Sequence, residues 1–110
     1  MNLLAIAQNI ADQLQPLELA LGRKPVVILT ARFGASGSQK RLEATLQSSG
    51  FPVVREFTKK VECVIVGLVG DDQGFIRGVK TRSMERAESG GIPCFYVPSS
   101  LLGVENRPAA

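Results

Sequence analysis

Between residues 24 and 102, short apolar runs alternate with polar segments that contain glycine. Four of these runs predict β-strands, at residues 26–30, 53–57, 62–67 and 92–97. Helical patterns at 39–49 and 80–89 follow the first and third runs. The first run is apolar without a break from Val26 to Leu29, which is typical of a central parallel strand covered on both faces. Strand–helix–strand connections cross over right-handed, so the pattern predicts a three-layer α/β sandwich with a four-stranded parallel sheet.

Side-chain periodicity orients the two predicted core helices. Ser38 is a suitable N-cap for the first helix, and Leu42 and Leu46 lie one turn apart, facing the sheet. In the second helix we expect Met84 and Ala87 to point inward. The pair Gly90-Gly91 is expected to end that helix. The glycine-rich segment 68–79 is interpreted as a mobile loop, and a short last helix is expected to start at 99 or 100.

An amphipathic helix is predicted at residues 1–22, before the α/β domain at 23–103 and a frayed tail at 104–110. Pro16 removes a backbone donor and predicts a kink or a two-part helix, and Gly22 is a plausible C-cap. The stripe folds onto its own domain or forms an oligomerisation surface, such as a homodimer contact, and both hypotheses remain open. The apolar residues recur at intervals of four and three and therefore share one stripe: Leu3, Ala7, Ile10, Leu14, Leu17 and Leu21.

Length and sequence pattern argue against a membrane or secreted protein, and the charge balance favours a polyanionic partner. At 110 residues the chain is one domain, with no apolar run long enough to span a bilayer and no basic region typical of a signal peptide. We therefore expect a soluble cytoplasmic protein without a membrane partner. Residues 1–21 hold two acidic groups and no basic one, so the rest holds 13 basic and 8 acidic residues, a balance of +5. This balance favours polyanionic partners such as DNA, although an ordinary solvated basic face is the competing interpretation.

Few residues are suited to catalysis or metal binding. The chain has no histidine, which removes the commonest general base and argues against a zinc site. Cys63 and Cys94 are either buried thiols or a redox or disulfide pair. Asp71 and Asp72 could share a cation in a small enzyme, but no third ligand or nucleophile is evident. We expect a protein that is not an enzyme and has neither metal nor cofactor.

The order of these motifs resembles the BRCT domain, most closely the version at the C-terminus of bacterial NAD-dependent DNA ligases. The resemblance covers residues 24–102 and leaves the N-terminal helix unexplained. It implies a non-enzymatic module that grips phosphate on DNA ends, nicks or phosphoserine peptides, or that binds other proteins. The matching segments are Val26-Val27-Ile28-Leu29-Thr30, Gly50, Thr58-Lys59-Lys60, Val64-Ile65-Val66-Gly67 and Ala87-Glu88-Ser89-Gly90-Gly91-Ile92-Pro93.

The resemblance also implies a phosphate pocket. In the family, a Ser or Thr followed by Gly closes the first strand, and a lysine stands early in the second core helix. A hydroxyl, an amide and an ammonium group then converge on one oxyanion. Thr30 matches the hydroxyl position, whereas Ala31 replaces the glycine and Ser83 replaces the lysine. Neighbouring basic residues complete the predicted site: Arg32, Lys40, Arg41, Lys80, Arg82 and Arg86.

Two functions therefore follow from the sequence. The first is a module that binds DNA ends, nicks or phosphate backbone in replication or repair. The alternative is a module for protein–protein or phosphopeptide interaction, or for oligomerisation.

Overall fold

A computed structural model describes residues 3–31, 33, 37–67 and 81–102. The predicted loop at 68–79 and the predicted tail at 104–110 lie outside the described residues. The predicted elements all form, although most strands are shorter than predicted. In chain order they are α1 (Leu3–Leu21), β1 (Val27–Thr30), α2 (Ser38–Ser48), β2 (Val53–Val54), β3 (Cys63–Val66), α3 (Arg82–Gly90), β4 (Cys94–Tyr96) and a 3₁₀ helix (Ser99–Leu102).

The four strands form one parallel sheet in the order β2-β1-β3-β4. Val27 of the central strand β1 lies opposite Val53 on one side and Cys63 on the other. Val64 lies opposite Cys94, which places β4 at the outer edge beside β3. All four residues of β3 are buried, as are the first three of β1. Continuous burial explains why these two strands are apolar without alternation.

Alternate residues of β1 and β3 point to opposite faces of the sheet. Val27 and Leu29 join the core cluster that contains the buried residues of α1 and α2. Ile28 joins a second cluster that contains Met84 and Ala87 of α3. The prediction of a three-layer sandwich with helices on both faces is confirmed, as are the inward positions of Leu42, Leu46, Met84 and Ala87.

Helix α1 folds onto its own domain. Ile6, Ile10 and Leu14 are buried in the same cluster as α2, and Leu17 packs against that cluster. The stripe that could have formed a dimer is thus largely covered within the chain. None of the described helices is both long enough and apolar enough to cross a membrane.

The helix is continuous from Leu3 to Leu21, so the alternative of a two-part helix is wrong. Pro16 is exposed, and so is Asp12, whose carbonyl loses the usual helical hydrogen bond. Water can solvate that carbonyl, which explains why the proline is tolerated. At the end of the helix, Gly22 has a φ of 73° and donates its N–H to the Glu18 carbonyl, as expected for a C-cap.

The N-terminus of α2 differs from the prediction. Ser38 is the first helical residue and is buried, and Gly37 is the N-cap. Gly37 has a φ of 89°, in the left-handed region that favours glycine. No side chain caps this end, so the predicted Ser38 cap is wrong. The backbone conformation at Gly37 takes the chain into the helix instead.

The two cysteines lie on opposite faces of the sheet. Cys63 belongs to the cluster under α1 and α2, whereas Cys94 packs against the cluster under α3. The two sulfurs are not bonded to each other, so a disulfide is the wrong interpretation. Burial raises the pKa of the Cys63 thiol to about 12, with a smaller contribution from the Glu62 carboxylate. Cys63 therefore behaves as a small hydrophobic residue at neutral pH.

An ion pair joins the amino ends of β1 and β3. Two nitrogens of the Arg23 guanidinium each lie 2.6 Å from a carboxylate oxygen of Glu62. The Val26 N–H also donates to Glu62 Oε1 at 2.9 Å. These hydrogen bonds lower the pKa of Glu62 below its ordinary value, and the bond from Arg23 has the largest effect.

Replacing Leu14 by Ala tests the docking of α1. We expect the free energy of unfolding to fall by about 2–5 kcal/mol, because the substitution leaves a cavity in the main core. The control is Leu4→Ala on the same helix, where the side chain is 73% exposed. Its effect should stay within about 0.5 kcal/mol. Urea unfolding followed by circular dichroism measures both, and equal small effects would contradict the packing of α1.

Glu62→Gln tests the ion pair through pH. The folded state lowers the pKa of Glu62, so its contribution is present above the unfolded pKa and is lost as pH falls through the folded pKa. The variant should be less stable than the parent at pH 7, and the two should converge as the pH falls below about 4. Exposed Glu56, changed to Gln, provides the control. A stability difference that does not vary with pH would argue against the ion pair.

Candidate functional site

The carboxyl edge of the sheet brings the end of β1 to the start of α3. Thr30, the last residue of β1, donates its hydroxyl to Thr81 Oγ1 at 2.7 Å. Thr81 directly precedes Arg82, the first residue of α3. The Thr30 hydroxyl, at the predicted phosphate position, therefore contacts the residue that directly precedes Arg82, a predicted basic position. Thr30 and Arg82 are 52 residues apart in sequence (82 − 30).

Thr81 is the N-cap of α3. Its Oγ1 accepts the Met84 N–H at 3.2 Å, and its own N–H donates to Met84 Sδ at 3.5 Å. The sequence analysis started this helix at residue 80 and did not single out Thr81. The available signal was a threonine three residues before an inward-facing residue, in the spacing of a capping box. Thr81 therefore both begins the helix and holds the Thr30 hydroxyl.

Ala31 adopts a backbone conformation that favours glycine. Its φ is 71°, and it is the one non-glycine residue with a positive φ in the described part of the chain. A left-handed conformation costs a residue with a Cβ about 1–2 kcal/mol. The Ala31 methyl packs against the cluster under α3. A residue with a methyl side chain is therefore accommodated at a positive φ directly after Thr30.

The predicted basic residues of α3 lie along a surface groove. Arg82 and Arg86 are exposed one turn apart, and Ser83 between them is half-buried. The Arg86 guanidinium carbon lies 5.4 Å from the centre of the Phe57 ring, in the range of a cation–π interaction. The groove has a volume of about 750 Å³ and separates α3 from the turn that contains Lys59. We call it the α3 groove: Phe57, Thr58, Lys59, Arg82, Glu85, Arg86, Ser89, Gly90 and Ile92.

The predicted basic residues of α2 lie on the other side of the sheet. Lys40 and Arg41 belong to a helix that packs against the cluster opposite α3. Lys40 lines a smaller cleft of about 350 Å³ together with Arg55. Arg55 Nε lies 3.3 Å from Glu43, whose side chain is only 7% exposed, so Arg55 already has an anionic partner. The basic positions therefore form two groups, one on each face.

Some of the predicted site residues are not among those that the structure describes. Arg32, Lys80 and the Asp71-Asp72 pair lie outside the described residues. Among the residues that are described, no group of three or more His, Cys, Asp or Glu side chains could hold a metal ion. The α3 groove and the Thr30–Thr81 contact adjoin each other at Arg82, which follows Thr81 and lines the groove.

This arrangement is suited to binding an anion. Arg82 and Arg86 offer guanidinium donors, and charge-assisted hydrogen bonds to anionic oxygens are stronger than neutral ones. The first α-helical hydrogen bond of α3 runs from the Glu85 N–H to the Thr81 carbonyl. The amides of Arg82 and Ser83 precede that bond, and the helix dipole places partial positive charge there. The geometry thus brings positive charge, backbone donors and hydroxyls together at one end of α3.

A double-mutant cycle on Thr30 and Thr81 tests the link between β1 and α3. Thr81→Ala should lower the free energy of unfolding by about 0.5–2 kcal/mol, because it removes the helix cap. Thr30→Val should lower it by about 0.5–1.5 kcal/mol, because it removes one hydrogen bond. The two losses should add to more than the loss in the double variant, since both delete the same contact.

The matched control is Thr45→Ala, where the lost hydroxyl bonds the Arg41 carbonyl on the exposed surface of α2. Its effect should stay within about 0.5 kcal/mol. Chemical denaturation of the four proteins of the cycle measures the coupling, and strictly additive losses would contradict it.

Comparisons of this chain with protein-family models, with curated proteins and with solved structures find no match.

Proposed function

We propose that this protein is a BRCT-like, non-enzymatic module that binds the phosphates of DNA at ends or nicks in replication or repair. The binding surface is the carboxyl edge of β1 together with the start of α3. A parallel four-stranded sheet with helices on both faces agrees with the fold that the sequence resemblance implies. The order and spacing of the motifs between residues 24 and 102 support the same family.

The single observation that carries the proposal is the 2.7 Å contact between the hydroxyls of Thr30 and Thr81. It brings the hydroxyl position of the family's phosphate pocket to the N-terminus of α3. The lysine of that pocket is replaced by Ser83, but Arg82 lies one residue before it and Arg86 one turn after Arg82. A guanidinium binds phosphate through two parallel hydrogen bonds, so arginine is a suitable substitute for lysine.

Charge also supports a polyanionic ligand. The α3 groove carries three cations, Lys59, Arg82 and Arg86, against the single carboxylate of Glu85. The balance of residues 22–110 is +5 (13 − 8), so long-range attraction acts in the same direction as the local contacts. Each phosphate that the protein neutralises releases counterions, which makes affinity depend on salt.

The alternative is recognition of a phosphopeptide or of another protein. A phosphoserine would use the same hydroxyls and guanidinium groups. A homodimer through the N-terminal helix would have to use the outer surface of α1, because Ile10 and Leu14 are buried within the chain. The large apolar side chains exposed on α1 are Leu4, Leu19 and Leu21.

Paired charge reversals test the DNA proposal. Arg82→Glu with Arg86→Glu should weaken binding to a short 5′-phosphorylated duplex at least tenfold. The slope of log affinity against log salt should become shallower by about 0.9 for each phosphate contact that is lost. Fluorescence anisotropy at two salt concentrations measures both quantities, with nicked and unphosphorylated duplexes in parallel.

Lys40→Glu with Arg41→Glu applies the same change in charge to the other face of the sheet and serves as the control. We expect a smaller loss from this pair. Unchanged DNA affinity in the α3 pair would contradict the proposal. Equal losses from both pairs would contradict the assignment of the binding surface to α3.

A further inference from the structure

We propose that the α3 groove binds unpaired nucleotides, so that the protein prefers DNA ends that carry a single-stranded overhang. The inference rests on the proposed DNA function and adds the form of DNA that the surface selects. The Arg86 guanidinium, which lies over the Phe57 ring, is the stacking surface for a base, and Arg82 and Lys59 hold the neighbouring phosphates. Sequence reasoning placed Phe57 at the end of a strand and assigned it no role.

The groove has the shape that an extended strand requires. Its apolar floor is formed by Phe57 and Ile92, both half-buried. The helix supplies Arg82 and Arg86 along one side, and the turn before β3 supplies Lys59 on the other. Four residues of helix advance about 6 Å, so the two guanidinium groups recur along the groove. Apolar side chains and cations thus line the same groove, where they can contact the bases and the phosphates of one strand.

Phe57 holds the Arg86 guanidinium in place for stacking. Part of its ring packs against the cluster under α3, and the Arg86 guanidinium lies over the ring at 5.4 Å. Aromatic rings and guanidinium planes are the two surfaces on which proteins stack unpaired bases. A guanidinium that is already held against a ring loses little conformational freedom when a base binds.

The groove continues from the proposed phosphate site. Arg82 follows Thr81, which holds Thr30, and Arg82 also lines the groove. A strand whose terminal phosphate lies at the start of α3 can therefore pass along the helix towards Ile92. Paired bases are stacked inside a duplex and cannot reach the floor, so the groove selects the unpaired part of a DNA end. An acidic peptide would satisfy the three cations but would make no use of the ring beneath Arg86.

The absence of tryptophan from the chain provides a direct test. Phe57→Trp introduces a single tryptophan in the groove, which can be excited selectively at a wavelength that Tyr96 does not absorb. Oligothymidylate should quench its fluorescence with a saturable dependence on concentration. Inorganic phosphate at equal ionic strength should not, because it carries no base.

Two further variants separate stacking from charge. Phe57→Leu keeps an apolar side chain and should reduce affinity for a duplex with an overhang about tenfold, within the range for loss of one base stack. Its affinity for a blunt duplex should fall less, so that the ratio of overhang affinity to blunt affinity decreases. Arg86→Lys keeps the charge and loses the planar group, so it should reduce the overhang preference with an unchanged salt slope. Phe95→Leu, which removes a half-buried ring packed against the cluster on the other face, should leave the preference unchanged.

The outcomes distinguish this inference from the function on which it rests. Blunt-duplex binding without quenching and without an overhang preference would overturn the groove proposal and leave the proposed function standing. Quenching by an acidic peptide but not by oligothymidylate would also overturn it. Quenching by oligothymidylate without binding to duplex ends would support the groove and overturn the proposed function.

Discussion

The structure depends on the burial of two adjacent strands on both of their faces. β1 and β3 pair in register from Val27 with Cys63 to Thr30 with Val66, and their side chains are almost wholly removed from water. Each face of this pair must therefore be covered. Helix α3 covers one face, whereas α2 and the short 3₁₀ helix share the other with α1. This requirement explains why a helix outside the family resemblance is part of the core.

The parallel arrangement of the strands also determines where the basic side chains and the Thr30 hydroxyl lie. The carboxyl ends of parallel strands meet at one edge of the sheet, so both core helices begin there. Because α2 and α3 cover opposite faces, the basic side chains on them are separated into two groups. Among the residues that the structure describes, the α3 group adjoins both the hydroxyl at the end of β1 and the α3 groove. The contact between Thr30 and Thr81 therefore distinguishes one basic surface from the other.

The sequence was sufficient to predict the element order, the parallel sheet and the inward residues of both core helices. Burial requires apolar residues at regular intervals along each element, and these intervals are visible in the sequence. The helix caps were harder to predict. Ser38 has a hydroxyl that could cap the helix, yet Gly37 is the N-cap residue. Gly37 has a left-handed backbone conformation, which glycine can adopt but which its presence in the sequence does not predict. Thr81 had a local signal as a cap, but its contact with Thr30 could not be predicted because the two residues are 51 positions apart. The docking of α1 and the separation of the two cysteines depend on which face each residue occupies, which requires the complete sheet.

The α3 groove was beyond prediction for a similar reason. Phe57 and Lys59 follow β2, whereas Arg82 and Arg86 belong to α3, and nothing in their spacing relates them. Their proximity arises because α3 packs on the face that also receives the Phe57 ring. The predicted hydroxyl position, Thr30, was identified only through the family resemblance, in which a Ser or Thr closes the first strand.

The packing of α1 has a consequence for how the chain acquires its structure. Its buried residues share one cluster with Val97 and Leu102, close to the other end of the described chain. Residues of α1 are synthesised before the strands that they pack against, so their apolar side chains lack this packing surface until those strands have been made. Parallel pairing between distant strands is also slow compared with local hairpin formation. The apolar face of α1 is therefore exposed until Val97 and Leu102 have been synthesised and packed against it. During this stage the nascent polypeptide is prone to aggregation and to binding by chaperones.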